Sequence, residues 1–66
     1  MDNSDNFFKE HDVVYLIHNI SGFLKGTRGV LVHIYEGSSM FEVEFFDDEN
    51  NTIGVGTIFK GYLKKK

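Results

Sequence analysis

His33, Glu42 and Glu44 come nearest, by type and spacing, to acid–base chemistry in this chain. His33 stands in the alternating stretch Val30 to Tyr35, and the two glutamates alternate with Phe41, Val43 and Phe45 in the next one. A hairpin of the two stretches would put the imidazole beside carboxylates on a single face, an arrangement able to pass a proton near neutral pH. The same arrangement is also an ordinary cross-strand contact. Little else that catalysis needs accompanies it: the chain has no cysteine, and Ser21, Ser38 and Ser39 lie in turn-like surroundings. His11, His18 and His33 follow no recognised metal-ligand spacing, and Asp47-Asp48-Glu49-Asn50-Asn51 lacks the alternating oxygens, central glycine and distal glutamate of a calcium loop. The expectation is a non-enzymatic protein with no metal and no cofactor.

The elements that would position these residues are strands. Asp12 to Ile20 is rich in Val, Ile, Tyr and Leu, and both of its alternating sets are apolar: Val14, Leu16 and His18 on one side, Val13, Tyr15 and Ile17 on the other. Such a strand is either covered on both sides or leaves one set for a partner. A long glycine-containing connection, Asn19 to Gly29, follows, with Phe23 and Leu24 expected to plug one end of the fold. In Val30 to Tyr35, alternation assigns Val30, Val32 and Ile34 to the core and Leu31, His33 and Tyr35 to the exterior. After a turn at Glu36 to Ser39, Met40 to Phe46 returns with Phe41, Val43 and Phe45 inward and Glu42 and Glu44 outward. A polar turn leads to Thr52–Thr57, where Ile53 and Val55 share one face, and Gly54 and Gly56 the other, leaving room for a close approach. Tyr62 and Leu63 belong to a last short strand.

Sixty-six residues make a single domain, with residues 1–11 as an arm or short helical turn, 12–63 as the folded body and 64–66 as a basic tail. Without cysteines, stability must come from packing, and 41% hydrophobic and 15% aromatic residues suffice for a core. About five short strands with a long first loop close most economically as an all-β, SH3-like barrel of antiparallel strands. The net charge of −3 disfavours phosphate backbones and anionic membranes and favours a basic protein partner. The polar, acidic start is unlike a signal peptide, and no apolar run approaches a membrane span, so a cytoplasmic location is expected.

Asp12-Val13-Val14 with Leu16, the run Gly26-x-x-Gly29-Val30-x-Val32-x-Ile34-Tyr35, and Phe41-Glu42-Val43-Glu44-Phe45 before an acidic turn and Thr52-Ile53 together resemble a small bacterial family. It is the domain-of-unknown-function family numbered four-nine-two-six, and the resemblance covers Asp12 to Leu63. It implies a stand-alone SH3-like barrel similar to KOW modules. It also implies a small partner protein of the immunity or antitoxin kind, set beside toxin-like neighbours. The chain departs from the family pattern near its end, where Lys60-Gly61 and a lysine triplet follow Phe59.

These readings converge on a protein-binding module. Val13, Tyr15 and Ile17 are expected at the dry centre of its surface, with Leu31, His33 and Tyr35 beside them and Glu42, Glu44 and Asp48 steering a basic partner. A KOW-like RNA binder using Lys25, Arg28, Lys60 and the terminal lysines is the alternative, as is an accessory subunit of a larger enzyme complex. An exposed first strand or free sheet edge leaves a homodimer open.

Overall fold

The computed structural model of the chain describes residues 7–66. Five strands follow one another: β1 (Val13–Leu16), β2 (Arg28–Ile34), β3 (Met40–Phe46), β4 (Thr52–Phe59) and β5 (Leu63–Lys65), with a single turn of 3-10 helix at Lys60–Tyr62 before the last. Every pairing is antiparallel, and the strands form one sheet in the order β4-β3-β2-β1-β5. The all-β class and the five antiparallel strands agree with the sequence. The end strands share no ladder, yet Ile58 of β4 and Leu63 of β5 enter the same buried cluster as Val14, Leu16, Leu31, Phe41, Val43 and Phe45. The sheet therefore curls until both ends cover one core.

The strictest alternation is in β3, where Phe41, Val43 and Phe45 are buried and Glu42 and Glu44 half-buried on the outer side, as expected. In β1 the ambiguity is resolved: Val14 and Leu16 are buried, and Val13 and Tyr15 face out half-covered. Strand structure ends at Leu16, and the long connection is tied by reciprocal Ile20–Phe23 backbone hydrogen bonds of 2.8 Å. Phe23 does plug the core, its ring 4.3 Å from that of Phe45, whereas Leu24 is 68% exposed.

The facing of β2 corrects the sequence reading. Leu31, expected outside, is fully buried, while Val32, expected in the core, is exposed and Val30 half-buried. The phase is set by Gly29, which is buried so close to β3 that a Cβ would lie 2.6 Å from Val43 Cγ1; positions 29 and 31 thus point inward. A register shift between Leu31 and His33 then inserts Val32 as a bulge, so that Ile34 also packs on the core while His33 stays outside. Strict alternation cannot represent such an insertion.

Two boundaries also change. The lysines expected as a tail are largely strand: Lys65 pairs with Val14, Lys64 with Tyr15, and the Lys66 N–H donates to the Val13 carbonyl at 3.0 Å. Residues 1–6 of the expected arm lie outside the described residues. Residues 7–9 have no regular structure and lead into a turn at Glu10–His11 in place of a helix. Phe8 packs against Phe41 with ring centroids 5.1 Å apart, and Phe7 is exposed.

Candidate partner-binding surface

The outer face of the sheet is built from cross-strand rows. In one row Val13 of β1, Val30 of β2, Glu44 of β3 and Val55 of β4 stand side by side; in the next, His33, Glu42 and Thr57 do. At the near end Met40 lies opposite Phe59, and the Tyr35 N–H reaches the Met40 carbonyl. Glu42 and Glu44 thus form a column along β3, about 7 Å apart because alternate strand residues share a face.

Threonines of β4 hold both carboxylates in place. Thr57 Oγ1 donates to Glu42 Oε1 at 2.7 Å, and Thr52 Oγ1 donates to Glu44 Oε2 at 2.6 Å. Tyr35 adds its hydroxyl to Glu42 at 3.4 Å, and its ring meets the edge of His33 at a centroid distance of 4.5 Å. Among the described residues no lysine or arginine pairs with either glutamate; the ion pairs are His33–Glu10 at 3.6 Å and Lys65–Asp12 at 3.5 Å. Around the column, Val32, Tyr35, Val55 and Phe59 are each 39–54% exposed. The result is two oriented, half-buried carboxylates in an apolar frame, with no lysine or arginine partner among the described residues. This chemistry suits lysine or arginine side chains presented by another molecule.

A second feature lies at the other end of the sheet. Tyr15, Leu24, Lys25, Arg28, Phe46, Asp48 and Ile53 contribute to an open groove of about 570 Å³ between the long connection and the β3–β4 turn. Arg28 lies over the Phe46 ring at 5.0 Å and bonds the Asn50 side chain. The turn is braced by Asp47, whose carboxylate accepts from the backbone N–H groups of Asn51 and Glu49 at 2.9 and 2.8 Å. Those bonds hold its pKa below the ordinary aspartate value. Asp12 is likewise lowered, first by the Lys9 N–H and further by Lys65. Asn50 adopts positive φ at the tip, a conformation asparagine tolerates.

Of the residues singled out from sequence, His33, Tyr35, Glu42 and Glu44 come together, and Val13 lies in the Glu44 row. Tyr15 and Asp48 line the groove, and Ile17 faces a different hollow with Lys64 and Lys65. Leu31 is core and leaves the surface. Sequence reasoning missed Thr52 and Thr57, the partners that orient the glutamates. The signal was the antiparallel return of β4 beside β3, which makes polar β4 residues neighbours of outward β3 residues.

Lys25, Arg28 and Lys64 gather near Tyr15, while Lys60 lies at the far end of β4. Among the described residues no group of three or more His, Asp or Glu is arranged to hold a metal ion, and among them no helix is long and apolar enough to cross a membrane. Residues 10–65 match the family described as Domain of unknown function (DUF4926). No curated protein and no solved structure matches the chain.

Proposed function

We propose, on the premise that the chain belongs to the DUF4926 family, that it is a cytoplasmic, non-enzymatic module that docks on a partner protein with a basic surface. The observation that carries this reading is the Glu42–Glu44 column, oriented by Thr57 and Thr52 and without a lysine or arginine partner among the described residues. Hydrogen bonds that fix a carboxylate before binding reduce the ordering cost of association. The apolar frame around them supplies the dry contact that gives a complex its lifetime. In the immunity or antitoxin form of this role, the module covers a positively charged active surface of a toxin-like neighbour.

The experiment is capture from the native host with wild-type protein and with the Glu42→Lys/Glu44→Lys variant, followed by association kinetics with the purified partner. A basic protein retained by wild type and lost by the variant supports the reading. RNA retained with steep salt dependence would favour the KOW-like alternative, for which Lys25, Arg28 and Lys64 near Tyr15 are the cationic group. Asp47 and Asp48, in the same groove as Lys25 and Arg28, weigh against that alternative.

A further inference from the structure

Among the described residues the sheet has two unpaired edge strands, β4 and β5, and they are built in opposite ways. The β5 edge is three residues long and carries Lys64 and Lys65, with Lys66 next to them. Short length and lysines are the usual protection against edge-to-edge pairing. The β4 edge is eight residues long, Thr-Ile-Gly-Val-Gly-Thr-Ile-Phe, with neither charge nor proline. On its outer face Ile53, Val55 and Phe59 are each 42–54% exposed.

The hydrogen-bond phase of β4 shows which backbone groups remain free. The Tyr35 N–H donates to Met40 and the Lys60 N–H to Ser39, so Phe41, Val43 and Phe45 exchange bonds with Ile58, Gly56 and Gly54. The N–H and C=O groups of Val55 and Thr57 therefore point away from β3, and no backbone partner among the described residues meets them there.

We infer that this edge pairs antiparallel with β4 of a second copy of the chain, about a two-fold axis at Gly56. In this register Val55 of each copy exchanges both backbone bonds with Thr57 of the other, four bonds in all. Beyond that regular stretch Phe59 approaches the second copy near Ile53, the residue at which the β3–β4 register shifts, and the contact covers apolar side chains that the monomer exposes. The two Gly56 residues face each other without side chains to collide. Electrostatics permits the match although each copy carries a net charge of −3. The seam itself is uncharged, and the glutamates sit one strand behind it on each side. The two columns are three strand spacings apart, about 14 Å, beyond the screening length of about 8 Å at physiological salt. Because β5 is guarded, association closes at two copies. This inference and the partner-binding reading can fail independently, since it needs only the chain itself.

The test is sedimentation equilibrium over a concentration series to about 1 mM, with residue-resolved amide exchange, on wild type and Val55→Lys. Wild type is expected to rise from 7.6 kDa toward twice that mass, with the Val55 and Thr57 amides slowing as concentration rises. Val55→Lys is expected to stay monomeric with an unchanged circular dichroism spectrum, because position 55 is exposed and lies beside Glu44. A wild type that stays monomeric overturns the inference. So do a dimer that Val55→Lys leaves intact, growth beyond two copies, and fast Val55 and Thr57 exchange in the dimer. Protection of those amides that appears only when host lysate is added to a monomeric chain would assign the edge to another protein's strand, and also overturns it.

Discussion

Gly54 and Gly56 occupy the same face of the same strand, two residues apart, yet alanine at the two positions should have opposite consequences. A Cβ at Gly54 would lie 2.7 Å from Phe23 Cζ and 3.0 Å from Cε1. Ordinary carbon contacts begin near 3.5 Å, so the overlap approaches 1 Å. Phe23 cannot yield freely, because reciprocal backbone bonds to Ile20 hold its main chain and its ring packs on Phe45. Overpacking of this kind costs about 1–3 kcal/mol, and displacing the ring forfeits about 0.5–1.5 kcal/mol of aromatic contact. Replacing glycine returns about 0.4–1 kcal/mol through the unfolded chain. The net expectation for Gly54→Ala is a loss of about 0.5–4 kcal/mol, centred on about 2 kcal/mol. At Gly56 the nearest atoms to a new Cβ are 3.5 and 3.8 Å away, ordinary contact distances, so Gly56→Ala should be neutral or slightly stabilising. In a domain of this size each kcal/mol moves Tm by about 4–8 °C. Thermal and urea unfolding followed by circular dichroism separates the two variants. In a Phe23→Ala background the Gly54→Ala penalty should shrink to a few tenths of a kcal/mol. Equal effects at the two glycines, or a penalty that survives removal of Phe23, would refute the reasoning.

Leu31→Ala should destabilise by about 2–5 kcal/mol and Val32→Ala by no more than about 0.5 kcal/mol, as urea unfolding will show; the reverse order would restore the phase read from simple alternation. Asp12 and Asp47 are held below the ordinary aspartate value of 3.8 in the folded protein. Their contribution to stability is therefore complete above that value and lost as pH falls through the lowered folded values. Urea midpoints measured from pH 6 to pH 2 should fall at the acid end, and Asp47→Ala should flatten that fall. Tyr15→Ala should speed dissociation from a partner that uses the groove, measured by surface-immobilised kinetics, with association little changed.

Much of the fold was legible because β3 and its turns obey simple rules. Its strict alternation located Phe41, Val43 and Phe45 in the core and Glu42 and Glu44 outside, and the polar run after Phe46 marked the turn. The phase of β2 was not legible, because the Val32 bulge depends on how Gly29 fits against Val43 and Phe45, a tertiary contact without a local signal. The β5 lysines read as a tail because charge normally marks solvent, whereas here the backbone pairs with β1 and Lys65 is tied to Asp12 and the Phe7 carbonyl. Hydrophobicity also points Ile53, Val55 and Phe59 toward burial, but in a sheet of five strands the outer face keeps them exposed. The pairing of Glu42 with Thr57 and Glu44 with Thr52 followed from register, which the sequence constrains only after β4 has been placed.

The role of the Glu42–Glu44 column is tested most directly by association kinetics between the captured partner and the Glu42→Lys/Glu44→Lys variant at low and high salt. Wild type should associate at least about tenfold faster than the variant at low salt, with the gap closing as salt rises. Equal association rates for the two proteins at low salt would contradict a partner recognised through these carboxylates.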